Sequence, residues 1–454
     1  MQTIEKLKHY LKENPILRKI ARNFGYLFSS NIIASALSMV QGIFSVRLLG
    51  VFGFGQLGTI TVFATTVNKL TSFRMGELVI KYVGQFHETG DQKKAAATFK
   101  AAALVELLAS LLAFGLIWIL APWGAKAFAK DPSLANAFII YGLVILANMF
   151  SEASTGLLQI FDKFRSMAWV NILQSIITLL LIILAWWQDY GLLGILVAYL
   201  VGKVIHAIGL SFYAFDVAHK EWGKRWWTTP LKTLTSERKE LFRFAISTNI
   251  NNTLTLLTRD SSILWVSYFS NPEQSGYFKL ALALANYIQI PMAPMPQATF
   301  PELARAVARR KWDDFRYILK QGSRIAGTYS ILVAIFLVLL GKPLIRILYT
   351  PESLPSYNGL MVMLIGIVFA NTVYWARSGL LSFGLADYAT KVNVLVTIIS
   401  VVGYLLLLPR IGQLGAAMVM TFGNVLGNSL VIGKTFKRLR QEEIFDLIAD
   451  GDPA

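Results

Sequence analysis

Apolar residues along this chain gather in runs of about 20, each parted from the next by a short charged or turn-rich piece. An α-helix of that length crosses the hydrocarbon layer of a bilayer, whereas a β-barrel strand needs only about ten residues and alternates in polarity. No such alternation is present. The runs fall at 25–49, 57–82, 98–120, 135–160, 166–187, 190–215, 240–269, 276–300, 318–340, 357–383, 388–409 and 413–436. The pattern predicts an all-α polytopic membrane protein with about twelve transmembrane helices. Ahead of the first run, residues 1–24 carry Ile4, Leu7 and Leu11 on one face among Lys6, Lys8 and Lys12, which predicts an interfacial segment. Behind the last run, 437–454 form a polar tail with a weakly amphipathic IFDLI at 444–448.

One run breaks the apolar rule. Between 243 and 269, Ser247, Asn251, Thr255, Thr258 and Ser262 recur at helical spacing, and Arg259 and Asp260 lie mid-run. Such a stripe serves either as hydrogen-bonding glue between helices, with Arg259 paired to Asp260 or another acid, or as the wall of an aqueous path. An ionised group at mid-membrane costs roughly 2.5–3.5 kcal/mol on insertion scales and faces a bundle interior or wet cavity. Arg259 therefore favours the cavity.

The runs also repeat. At one constant shift Ser29, Asn31 and Ile32 match Ser247, Asn249 and Ile250, Gln56-x-Gly58 matches Gln274-x-Gly276, and Asn68 matches Asn286. With small gaps Ala147-Asn148 and Gly156-Leu157-Leu158 match Ala370-Asn371 and Gly379-Leu380-Leu381. Gly191-x-Leu193-Gly194, Gly202 and Val204 match Gly412-x-Leu414-Gly415, Gly423 and Val425. The order is kept across three helix pairs. It divides the chain into an N-lobe at 25–225, a linker at 226–239 and a C-lobe at 240–436. Six spans per lobe make the repeat parallel, an arrangement of transporters with a central cavity. The partner stripe in the first span is Asn31, Ser35, Ser38, Gln41 or Gly42, and Ser45, with Arg259 standing at the place of Gln41.

Charge sets orientation. The net charge is +17, which could signal nucleic acid. The basic residues nevertheless crowd short loops on one side: Lys81, Lys93, Lys94, Lys100, Lys163, Arg165 and the 216–240 and 303–324 loops. The other side holds little beyond Lys126, Lys130, Lys342, Arg346 and Arg410. That is the positive-inside pattern, so both termini are expected in the cytoplasm and no nucleic-acid partner is expected.

Inside the spans cations outnumber acids. Lys69, Arg74, Arg259 and Arg377 are the deep ones, and Arg377 follows a Tyr374-Trp375 pair. Arg74 and Glu77, three apart, are also placed to bridge along one helix. Glu106 and Lys203 would pair if their helices touch. Cations point to an anionic cargo, because an arginine fork matches phosphate oxygens and lysine adds a point charge. Asn31, Gln41 and Asn251 would wet a glycan. Asp260, Glu77 and Glu152 are the candidates for a coupling proton. The proline-rich 291–301 segment predicts a bend in the eighth span. With no cysteine, four scattered histidines and no GxxxxGK[ST] loop, no catalytic constellation, metal site or cofactor is expected.

Short motifs carry a resemblance. Leu48-Leu49-Gly50 with Phe54-Gly55-Gln56-Leu57-Gly58, Met75-Gly76 through Ile80-Lys81-Tyr82, Thr89-Gly90-Asp91, Gly276-Tyr277-Phe278 and Phe300-Pro301-Glu302-Leu303 are involved. Together the chain resembles the multidrug/oligosaccharidyl-lipid/polysaccharide (MOP) exporter superfamily, and within it the Wzx-type flippases of the polysaccharide-transporter branch. The resemblance implies an inner-membrane flippase of an undecaprenyl-pyrophosphate-linked oligosaccharide, used for O-antigen, capsule or exopolysaccharide, working by alternating access. Membrane lipid, a polysaccharide polymerase and assembly proteins are the implied partners. A MATE-like drug or metabolite antiporter of the same fold is the alternative; it should depend on an intramembrane acid.

Overall fold

The computed structural model describes the backbone of residues 15–450 and the side chains of 22–23, 25–245 and 255–446. Most of the N-terminal interfacial segment, the end of the IFDLI piece and the side chain of Asn251 lie outside the described residues.

Every regular element among the described residues is helical. In lipid, the helix satisfies each backbone N–H and C=O within its own segment, so long apolar runs have no cheaper form. The chain opens with α1 (Pro15–Thr71), which Gly50 divides into two arms at φ 63°, ψ −179°. That left-handed φ is open to glycine at no steric penalty. A helical run at 75–88 (α2) follows, then α3 (Gln92–Gly124), α4 (Ala135–Ala147), α5 (Ser151–Ile160), α6 (Phe164–Trp187) and α7 (Gly191–Trp222). The second half holds α8 (Arg238–Thr255), α9 (Ser262–Phe269), α10 (Pro272–Gln289), α11 (Met295–Ala308), α12 (Trp312–Leu348), α13 (Ser356–Thr372), α14 (Ala376–Ser382), α15 (Ala386–Ile411) and α16 (Gln413–Asp450).

Nine helical stretches among the described residues are long and apolar enough to cross a membrane. One of them, Gly25–Thr71, contains both arms of α1. Two further helical segments, α8–α9 and α10–α11, are the striped run and the proline-rich run. With these the fold has about twelve transmembrane helices, as the apolar pattern predicts. The bend expected in the eighth span is present: α10 stops at Gln289, a tight turn covers Ile290–Met292, and α11 begins at Met295. The repeat also shows in the breaks, which interrupt α4–α5 at 148–150 and α13–α14 at 373–375.

The chain forms two compact units. The first contains residues up to Leu48, Phe63–Lys126 and Asp131–Asn252. Its core includes Phe99, Leu157 and Leu158, all fully buried. The segment at 226–239 is folded onto this core: Leu234 is buried, Trp226 packs on Phe99 at 5.2 Å, and Lys94 Nζ donates to Glu237 Oε1 at 2.8 Å. Lys94 holds the Glu237 carboxyl below its ordinary range. A lowered carboxyl contributes stability above its unfolded pKa and loses it as pH falls through the folded one. Glu237→Gln should therefore flatten the acid limb of a melting-temperature profile, by lowering the neutral plateau slightly, the pair being partly exposed, and by matching the parent at acid pH where the carboxyl is protonated.

The second unit contains Leu49–Val62, Ala127–Lys130 and the chain from Thr253 onward. The arm at 49–62 belongs here because two glycines let its backbone meet that of α10. A Cβ on Gly55 would lie 1.8 Å from the Pro272 carbonyl oxygen, and one on Gly276 would lie 2.1 Å from that of Val51. Hydroxyls of Thr59 and Ser267 at 2.7 Å, and of Ser267 and Ser275 at 2.9 Å, continue the contact. Lys279 Nζ caps it, 3.9 Å from the Phe54 ring centre.

Candidate functional site

In the second unit, a cavity of about 240 Å³ is lined by Thr258, Arg259, Arg377, Asn393, Asn424 and Asn428, among others. Arg259 reaches it from a π-helical turn, Leu256–Asp260. Such a turn carries one extra residue per loop and leaves carbonyls without their usual α-helical partners. Two side chains take over that role. Trp265 Nε1 donates to Leu257 O at 2.9 Å, and Tyr404 Oη donates to Thr258 O at 2.8 Å. Tyr404 is fully buried and stacks on Trp265, ring centres 5.6 Å apart. The arginine is thus held by a wound backbone with its own supports.

Arg377 enters from the first turn of α14, just after the break. Trp375 is buried and donates its Nε1 to Ser323 Oγ at 2.6 Å, which fixes the turn preceding Arg377. The two guanidinium groups remain exposed to the cavity. Arg259 Nη2 donates to Gln289 Oε1 at 3.4 Å, and among the described residues neither arginine makes an ion pair. The Arg259–Asp260 ion pair allowed by sequence is not among those the described residues form; Asp260, half-buried, ends the turn. No carboxylate is among the described residues that line this cavity.

The first unit has a cavity of its own, about 310 Å³, lined by Asn31, Ser38, Gln41, Gln174, Thr178 and Lys203, among others. Gln41 is buried, its Nε2 donating to Ser175 O at 2.9 Å, and Asn171 Nδ2 donates to Asn31 Oδ1 at 3.2 Å. The walls of the two cavities correspond. Gly202 on α7 faces Thr178 Oγ1 on α6, and Gly423 on α16 faces Ser400 Oγ on α15. Asn171 and Asn393 occupy matching places in those pairs.

The remaining predicted residues whose side chains are described do not join either cavity. Lys69 is exposed in the last turn of α1. Arg74 lies at the start of α2 and is engaged by Glu77, the bridge along one helix that the spacing allows. Glu152 sits beside them, where its charge is felt by Arg74 and its carbonyl packs on Gly76. The suggested Glu106–Lys203 pair does not form. Glu106, 7% exposed, instead accepts the N–H groups of Glu152 and Ala153 at 2.8 and 3.0 Å. A carboxylate from another helix thereby caps the start of α5, where the break orphans those donors.

Sequence reasoning also missed Tyr404 and Trp265, and it took Lys203 for a structural partner of Glu106. A tyrosine or tryptophan in an apolar run reads as packing, and nothing local reveals which carbonyl it serves. Tyr404→Phe keeps the ring and removes only the bond to Thr258 O. We expect a loss of about 1–3 kcal/mol of stability, with transport falling more than the folded yield because Arg259 loses its bearing. A melting curve and a transport rate on the same preparation check this.

Comparisons with known proteins follow the same lines. Residues 20–307 match the model of a family described as polysaccharide biosynthesis protein. Inner membrane protein YghQ of Escherichia coli (strain K12) is 22% identical over 356 residues, covering 78% of this chain and 98% of that protein. A multidrug resistance MATE-family transporter of the MOP superfamily in an inward-facing conformation superposes with TM-score 0.70 at 13% identity, over 90% of this chain and 95% of that one. The lipid II flippase MurJ, inward closed, gives TM-score 0.69 at 15% identity, over 94% and 93%. A MOP transporter from Pyrococcus furiosus, described as having a binding pocket of reverse polarity, gives 0.64 at 13%, over 93% and 95%. These structural likenesses speak to fold, and the family match covers well over half of the chain. With its helical units, its internal repeat and its cation-bearing cavity, the chain belongs to the polysaccharide biosynthesis protein family and is a multi-pass membrane protein with the fold seen in transporters of the MOP superfamily.

Proposed function

We propose that this protein is a flippase for a lipid-linked oligosaccharide, an undecaprenyl-pyrophosphate-bound repeat unit of O-antigen, capsule or exopolysaccharide, working by alternating access. One observation carries the reading: Arg259 and Arg377 share a cavity whose described lining holds no carboxylate. Two guanidinium forks supply paired donors in the geometry that phosphate oxygens accept, and a low-dielectric surrounding strengthens each bond. The carboxamides of Asn393, Asn424 and Asn428 add neutral donors and acceptors of the kind that sugar hydroxyls take. The polyprenyl tail has no need of a protein pocket, because lipid already solvates it. Membership of a polysaccharide biosynthesis family agrees with such a cargo. Positive-inside asymmetry supports cytoplasmic termini, and the proposed cargo agrees with an inner-membrane setting, with polymerase and assembly proteins as candidate partners.

Proteoliposomes test the cargo. Reconstituted protein should move a polyprenyl-pyrophosphate-linked glycan from one leaflet to the other, and move an uncharged polyprenyl glycoside poorly. Equal rates for the two would remove the role of the anion. Export of cationic compounds, with loss on neutralising Glu77, Glu152 or Asp260, would instead select the antiporter.

A further inference from the structure

The first unit's cavity has no function from the reading above beyond contact with sugar. Its lining is nearly all neutral: Asn31, Ser35, Ser38, Gln41, Gln174 and Thr178 offer hydroxyls and carboxamides. Lys203 is the exception. It stands on α7 at the position that Asn424 holds on α16, next to Gly202 just as Asn424 is next to Gly423. Conversely, Gln41 in this cavity takes the place of Arg259 in the other. The repeat has therefore kept one polar cavity in each unit and moved the cation to a different wall.

Lys203 is neither bonded nor paired among the described residues. The acid that would have neutralised it, Glu106, is committed to the start of α5 by two backbone N–H groups. No acid is among the described residues lining this cavity. An ammonium group in a span, without a counter-charge, is costly and marks a substrate pathway or partner site. Its neighbours are already ordered. Gln41 is tied to Ser175, and Asn31 to Asn171, so a ligand meets a preformed wall.

We infer that the first unit's cavity is a second anion site, in which Lys203 holds a singly charged group on the glycan, the carboxylate of an acidic sugar. This rests on the flippase reading. Charge matching selects the carboxylate: one lysine neutralises one negative charge, whereas a pyrophosphate carries more and finds two arginines elsewhere. Lysine is also suited to a sugar substituent whose orientation varies, because its three donors sit on a flexible stem and impose no planar fork. The flanking carboxamides would then bond the hydroxyls of the same ring. Lys203 is in this account a specificity residue: it selects acidic over neutral repeat units.

Binding to the full chain in lipid nanodiscs tests this, with three probes. They are an oligosaccharide containing glucuronic acid, its counterpart with glucose in that place, and inorganic pyrophosphate. Lys203→Gln should weaken the acidic probe about tenfold or more, leave the neutral probe within about twofold, and leave pyrophosphate unchanged. Lys203→Arg should restore most of the affinity, which a folding defect would not allow. Equal affinities of the wild-type protein for acidic and neutral probes, or an unchanged acidic affinity in Lys203→Gln, overturns the inference. So does a loss confined to pyrophosphate, since Lys203 would then serve the lipid phosphate. Arg259→Gln separates the two readings. Its failure to affect pyrophosphate would sink the arginine site while leaving a selective Lys203 effect intact.

Discussion

Flipping of the lipid-linked glycan is expected to fall by more than about 100-fold when Arg259 and Arg377 are both changed to alanine, against roughly 10- to 100-fold for either alone. Each guanidinium is worth the 1.5–3 kcal/mol or so of a charge-assisted hydrogen bond to a buried anion. The pair lines one cavity, so the two losses are expected to interact and not simply add. Lysine at either position should recover part of the rate, since it returns the charge without the fork. The folded yield should change little, because both side chains are exposed and neither is in an ion pair among the described residues. Translocation in a strain lacking its own flippase, normalised to the amount of folded protein in the membrane, is the measurement. Undiminished flipping by the double variant would remove these arginines from the cargo site.

The largest effect on folding should come from Gly276→Val, with Gly55→Val close behind. At Gly276 any Cβ would lie 2.1 Å from the Val51 carbonyl oxygen, and at Gly55 it would lie 1.8 Å from that of Pro272. Both obstacles are backbone, which has no rotamer to yield. The arm at 49–62 would have to leave α10, breaking the Thr59–Ser267–Ser275 hydroxyl chain and exposing Lys279. A penalty above about 4 kcal/mol is expected, enough to abolish monodisperse protein in detergent. Gly42→Ala and Gly115→Ala make the comparison, since nothing lies within 4 Å of either added Cβ. Those two should match the parent in yield and melting temperature. A Gly276→Val protein of normal stability would mean that the arm does not sit on α10 as described.

Several features of this protein were open to reading without coordinates because their physical cause is local. A span needs only length and apolarity. A bend needs only Pro291, Pro294 and Pro296 removing N–H donors. Arg259 was suspect because a charge in an apolar run is costly wherever the helix packs. The repeat survives as matched small and polar residues, such as Gly202 and Gly423, whose spacing is visible along the chain. Arg74 and Glu77 bridge because three residues on a helix bring side chains together. The same spacing rules have nothing to say about Glu106. Its partners are two N–H groups on another helix, some 46 positions away, freed by a break.

Amino-acid order alone determined the helical spans, their twofold repeat, the expected sidedness and the surplus of intramembrane cations, since each follows from hydropathy, period or charge within a single segment. The packed structure decided which cations share a cavity, that Lys203 has no acid paired with it among the described residues, that Tyr404 and Trp265 support the turn bearing Arg259, and that residues 49–62 belong with the second unit. Those outcomes depend on which helix faces meet and how closely two backbones approach. Such distances are set by side chains far apart in sequence, and no periodicity along one helix encodes them.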